Sequence, residues 1–168
     1  MFGRVLEGAW GQKRFLIYYM VSGVGAGLVQ LLVAHFRFMG YGDLVTPEIM
    51  NLILNEGYQA SLEGKNFTDS FLGNLNVIIN GVSVGASGAV FGILLAFGML
   101  FPNTELMLLF PPIPIKAKWF VIIYGAFELF SGVANFSGDN VAHFAHLGGM
   151  LFGFILIKYW NKNSNHFY

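Results

Sequence analysis

Long apolar stretches alternate with short polar ones along this chain, and their lengths predict its elements. Between Arg14 and Arg37 there is no Asp, Glu, Lys or Arg, so Phe15–Phe36 runs uncharged. That matches the roughly 20 apolar residues a helix needs to cross a bilayer. From Asp69 to Glu105 the intervening chain is again uncharged. Its first part, Ser70–Gly81, carries Asn74, Asn76 and Asn80 and reads as a loop. Its second part, Val84–Phe101, reads as a helix. Trp119–Asn135 is interrupted only by Glu128, and Val141–Ile157 only by His143 and His146. Four membrane spans are therefore predicted.

The segments between them are short or punctuated. Thr46-Pro47-Glu48 has the chemistry of a helix start, which would run through about Ala60. Phe2–Arg14 reads as an interfacial amphipathic helix or as a simple connector. Pro111-Pro112-Ile113-Pro114 forces a rigid turn before the third span. The first apolar run is longer than a secretory h-region, and no small-residue cleavage pattern follows it. It is read as a span and not as a signal peptide. The organisation expected is one membrane domain over 1–160 and a polar, frayed tail over 161–168.

Composition agrees with that pattern. Hydrophobic residues make up 55% of the 168 and charged residues 11%, against about 25% charged in a typical soluble domain. Nine acids and nine bases, with a formal net charge of +0, cannot coat a soluble globule and give no footprint for nucleic acid. The absence of Cys excludes a disulfide framework and a thiolate zinc site. The bases are also sorted by side. In a four-span layout Arg4, Lys13, Arg14, Lys116, Lys118, Lys158 and Lys162 share one side, and Arg37 and Lys65 the other. Lys and Arg collect on the cytoplasmic side, so both termini are expected inside. The loop from about 37 to 83 and the turn at Ser137–Asn140 are expected outside.

Two motifs carry chemistry. Gly85-Ala86-Ser87-Gly88 stands at the outer end of the second span. It sets a hydroxyl among residues without bulk, beside the free N–H groups and positive dipole end of a helix start. Those are the parts of a serine nucleophile with an oxyanion site, although small residues also serve plain helix packing in membranes. Ala142-His143-Phe144-Ala145-His146-Leu147-Gly148-Gly149 opens the fourth span on the same side. Ionisable residues in a span are a functional hypothesis by default. Gly88-x-x-x-Gly92 and Gly149-x-x-x-Gly153 supply flat faces on which the two helices could approach closely.

These residues resemble the rhomboid family of intramembrane serine proteases. The resemblance rests on Gly85 through Gly92, on Ala145 through Gly153, and on Phe2-Gly3-Arg4-Val5-Leu6-Glu7 with Trp10-Gly11 and Arg14-Phe15. It implies an all-α, polytopic membrane helical bundle that cleaves transmembrane protein substrates within the bilayer, without a cofactor. Ser87 would be the nucleophile and His146 the general base, in a dyad with no acidic third member. Phe91 would be the aromatic packed on that His. Gly85, Ala86 and Gly88, with Gly149 and Gly153, would be the oxyanion and packing positions. Rhomboids have a six-helix core, and their second helix carries a His and an Asn ahead of a segment like Phe2-Gly3-Arg4. The resemblance thus implies four transmembrane helices of six, an N-terminally incomplete portion. Loss of an oxyanion donor costs about 10²- to 10³-fold in turnover, so the same comparison implies impaired activity for the chain as written.

The remaining polar residues are read as structural. Glu128 is placed below the level of Ser87 and His146, too deep to join them, and reads as a protonated or hydrogen-bonded structural group or, more sharply, as a proton-path or helix-tethering residue. His143 is expected to hydrogen-bond near the outer surface. His143-x-x-His146 could pair on a metal, but the sequence offers no third ligand at that depth, so no metal site is expected. Asn80, Ser83 and Asn135 could line a wet cavity for the hydrolytic water. Trp10, Tyr18, Tyr19, Trp119, Tyr124, Tyr159 and Trp160 suit an interfacial belt. The rival reading is a catalytically inactive rhomboid-like protein that binds transmembrane clients. A small transporter would need a polar mid-membrane path, for which Glu128 alone is available. The location expected is multi-pass in a membrane, the cytoplasmic one in a bacterium.

Overall fold

The computed structural model describes residues 2–81, 86–107, 113–134 and 142–163. Its helices are α1 (Phe2–Trp10), α2 (Gln12–Met39), α3 (Pro47–Leu52), α4 (Tyr58–Leu62), α5 (Ser70–Asn80), α6 (Ser87–Leu100), α7 (Ala117–Ala134) and α8 (His143–Asn163). A π-helical turn, Ile53–Gly57, joins α3 to α4. Two short strands, β1 (Glu105–Met107) and β2 (Pro114–Lys116), pair antiparallel with Leu106 opposite Ile115. By packing, the chain divides into two units, one of Met1–Gln30 with Gly85–Tyr168 and one of Leu31–Val84.

Helix ends fall where backbone chemistry puts them. Gly11, at φ 77°, terminates α1 in a left-handed conformation that favours glycine, and its N–H bonds the Glu7 carbonyl. α6 stops at Leu100 because Phe101 precedes Pro102, and a residue before proline is driven out of the helical region. Pro111 and Pro112 lie outside the described residues.

The larger unit is built on glycines. Among the described residues α6 and α8 pack along an extensive contact. Gly88 faces the Ala145 carbonyl, and Gly92 faces the Gly149 carbonyl, so the two helices run parallel in register. α2 crosses both in the opposite sense, with Ala26 against Gly88, Ser22 against Gly92 and Tyr18 against Gly153. The Tyr18 hydroxyl donates to the Gly92 carbonyl at 2.7 Å. Tyr18 is fully buried between Trp10 and Trp160, so it is a core residue and not part of an interfacial belt. At the far end of α6, Phe97 packs with Leu106 of β1 and Ala117 of α7.

α7 shows what solvent this unit is made for. It exposes Ile122, Phe127, Phe130 and Val133 and buries Glu128 and Ser131. Apolar side chains outside and a carboxylate inside would be unstable in water and suit a hydrocarbon surround. Among the described residues α2 and α7 are long and apolar enough to cross a membrane. Of the four expected spans, α6 is apolar but has 14 residues. α8 has 21, with its apolarity diluted by His143, His146 and Lys158.

In the smaller unit, Thr46 caps α3 through Ile49 N–H, with Pro47 in the first turn, and the helical path continues through the π turn to Leu62. Ser70–Asn80 is helix, where a loop was expected. Asp69 caps it by accepting from Leu72 N–H at 2.9 Å. Of the asparagines that suggested a loop, Asn74 is exposed, and Asn76 and Asn80 are paired. Asn80 Nδ2 donates to Asn76 Oδ1 at 2.8 Å, Asn76 Nδ2 donates to Asn66 Oδ1 at 2.9 Å, and Asn80 Nδ2 also reaches the Ile53 carbonyl at 2.7 Å. Once amides are paired, their burial no longer opposes the helix.

Candidate active site

The site is assembled on three helix faces of the larger unit. On α8, His143 and His146 are three residues apart and so project from one face. That face meets α7, where Gly132 lies against His143 and Phe144, and Gly125 against Met150. Glu128 sits midway between those glycines and is therefore level with His146. Both histidines are 8% exposed and Glu128 is 4% exposed.

One oxygen joins the three residues. Glu128 Oε2 lies 2.6 Å from His143 Nδ1 and 2.9 Å from His146 Nδ1. An ionised carboxylate only accepts, so with Glu128 ionised both imidazoles donate from Nδ1. The lone pair of His146 is then on Nε2. The His146 ring also stacks flat on Phe91 of α6, with centroids 4.0 Å apart and planes at 7°. Tyr124 of α7 touches the Phe91 ring at 5.5 Å.

This geometry corrects two expectations. Glu128 is not below the level of the histidines, and His143 is buried against it instead of bonding at the outer surface. Depth counted from the ends of the two spans misplaces Glu128. The actual register is set by Gly125 and Gly132, which let α8 settle along α7. The Glu128 oxygen is also the third ligand-type atom whose absence spoke against a metal, and the three donor atoms lie within 4.8 Å of one another. Donors around a tetrahedral zinc stand about 3.3 Å apart, given metal–ligand distances of about 2.0–2.1 Å. The separations of 2.6 and 2.9 Å are those of charge-assisted hydrogen bonds.

Ser87 is the first residue of α6, one turn before Phe91 and on the same face, and it is exposed. Ala86 precedes the helix and gives no side-chain cap. The N–H groups of Ser87, Gly88 and Ala89 thus have no intrahelical acceptor. Among the described residues no hydrogen bond joins Ser87 to His146. Gly88 and Gly149 bring the two backbones together, while Gly153 packs on Tyr18 and Ser22 of α2. Gly85, Ser83 and Asn135 lie outside the described residues. Asn80 is committed to the amide network of the smaller unit.

A family model described as the rhomboid domain matches residues 1–162. The chain belongs to the rhomboid family. Rhomboids are intramembrane serine proteases, and membership together with the two long apolar helices points to an integral membrane protein built as a helical bundle. Rhomboid protein 1, mitochondrial, of Saccharomyces cerevisiae is 37% identical over 84 residues, which are 50% of this chain and 24% of the yeast protein. The matched stretch thus spans about a quarter of that relative. No solved structure gives a significant match. What sequence reasoning missed in this rhomboid is the partner of Glu128. The signal was present, since an acid inside an apolar span calls for a named partner, and flanking glycines mark where the neighbouring helix comes close.

Proposed function

We propose that this rhomboid is an intramembrane serine endopeptidase, with Ser87 as nucleophile and His146 as general base. One observation carries the reading. His146 is held by a flat stack on Phe91 and by Glu128 at Nδ1, on a helix in backbone contact with the one that begins at Ser87. In the reaction the Ser87 hydroxyl proton passes to His146 Nε2 as Oγ bonds the substrate carbonyl carbon. The oxyanion is taken by the N–H groups at the start of α6. The carbon–nitrogen bond then breaks, and His146 returns the proton to the leaving amine. Water, deprotonated by His146, hydrolyses the acyl-enzyme and frees Ser87. Gly88 closes on α8, and Ala86 adds only a methyl group before Ser87. Transmembrane segments with small or helix-breaking residues are the substrates that fit, because the scissile bond must leave its helix to be reached. The termini lie on the cytoplasmic side and Ser87 towards the other.

The test is cleavage of a transmembrane substrate by the protein expressed in full from its gene. Ser87→Ala and His146→Ala should each abolish it, and a fluorophosphonate should label Ser87. Cleavage that survives either substitution would falsify the dyad. The rival, a rhomboid-like protein that holds transmembrane clients without cutting them, has in its favour that Ser87 and His146 are not hydrogen-bonded. Catalytic hydrogen bonds are often long before substrate arrives. An unlabelled Ser87 in the folded protein would decide for the rival.

A further inference from the structure

We infer that Glu128 is a positioning residue: it fixes His146 as the Nδ1–H tautomer and so leaves the basic lone pair on Nε2. This rests on the Ser87–His146 reading and adds to the dyad an acidic member that the family resemblance does not supply.

Glu128 Oε2 is shared by two imidazole nitrogens at 2.6 and 2.9 Å, in a site where all three residues are buried. A neutral imidazole has one N–H and one lone pair, and the hydrogen bond at one nitrogen sets the state of the other. With the carboxylate accepting at Nδ1, Nε2 of His146 must be the acceptor, which is the state a general base needs. The second bond, from His143, gives the buried carboxylate two donors and holds it in place. Phe91 fixes the ring plane but says nothing about the tautomer, since a stack offers no hydrogen bond. The carboxylate and the ring stack thus do separate jobs. The opposite arrangement, a protonated Glu128 donating to His146 Nδ1, would put the His146 proton on Nε2 and disable it as a base.

The experiment needs no substrate. The chain is labelled with 15N-histidine in detergent micelles, and the His146 ring signals are assigned by their loss in His146→Asn. The expected wild-type result is a protonated Nδ1 and an unprotonated Nε2. Glu128→Ala should give a mixture of the two tautomers. In the same variant the maximal rate at which a fluorophosphonate inactivates Ser87 should fall by on the order of 10²- to 10⁴-fold, with little change in the probe concentration giving half that rate. A wild-type proton on Nε2 overturns the inference. So does a Glu128→Ala variant with the wild-type tautomer, or with an unchanged labelling rate. If Glu128→Ala does not fold, the wild-type spectrum still decides. If the probe fails to label wild-type Ser87 while Nδ1 is protonated, the proteolytic reading falls and the tautomer assignment stands.

Discussion

Towards α6, helix α8 offers Ala145 and Gly149; towards α7, it offers His143 and His146. The first face is backbone against backbone, with Gly149 pressed on the Gly88 carbonyl. The second is two imidazoles around one carboxylate oxygen of Glu128, flanked by glycines that let the rings in. Both faces are close contacts made possible by small residues, yet they tolerate change differently. A backbone carbonyl cannot move aside, whereas a ring or a carboxylate can turn. The rigid face sets the distance between the helices that carry Ser87 and His146. The adjustable face sets, in the proposed reading, the tautomer of His146.

The sharpest way to break this contrast is Gly149→Ala. An added Cβ would run into the Gly88 carbonyl, so the helices must separate. Overpacking of this kind costs about 1–3 kcal/mol and more where backbone is the obstacle. We expect the largest loss of thermal stability in detergent from this single methyl, together with loss of Ser87 labelling. Gly27→Ala is the control, since nothing lies within 4 Å of that position. There the better helix propensity of alanine, up to about 1 kcal/mol, should leave stability unchanged or slightly raised. Equal losses in the two variants would show that the Gly149 contact does not hold the helices.

How much of this was legible in the sequence divides along the same line. Close approach was legible, because Gly88 and Gly92 are spaced for one face of α6, Gly149 stands in a like small-residue motif of α8, and small residues have one main use there. α2, α6, α7 and α8 were legible from apolar length and α3 from its Thr46-Pro47 start, while α1 stood open between helix and connector and α5 was hidden by asparagines whose pairing with Asn66 and each other no local pattern shows. The polar partners were not legible. Whether Glu128 meets His146 depends on how far α7 slides along α8, and apolar length leaves that offset free by several residues. Gly125 and Gly132 set it, but which neighbours they admit emerges only from the packed pair. Gly153 shows the limit of the small-residue rule, since it serves the α2 contact and not α6.

A smaller effect should come from Phe91, which belongs to α6 but acts on the histidine face. Phe91→Leu keeps an apolar side chain and removes the stack at 4.0 Å. An aromatic pair is worth about 0.5–1.5 kcal/mol beyond its buried area, so thermal stability should drop modestly. Labelling of Ser87 should slow by about 2- to 13-fold, which is that energy expressed as a rate. A rate unchanged from wild type would mean that Glu128 alone orients the ring.

The smallest change, and the one that tests the adjustable face directly, is Gly132→Ala. Its Cβ would meet the Phe144 ring at 3.0 Å and His143 Cβ at 3.1 Å, both side-chain atoms. The Phe144 ring can rotate by the few tenths of an ångström required, so the cost should stay near about 1 kcal/mol. The displacement falls on His143 and not on His146. The 15N signals of His143 should therefore shift, while those of His146 and the labelling of Ser87 stay close to wild type. A stability loss as large as that of Gly149→Ala would mean that α7 grips α8 as rigidly as α6 does. In that case the Glu128–histidine cluster would be fixed by backbone fit, and its hydrogen bonds would follow the packing instead of tuning it.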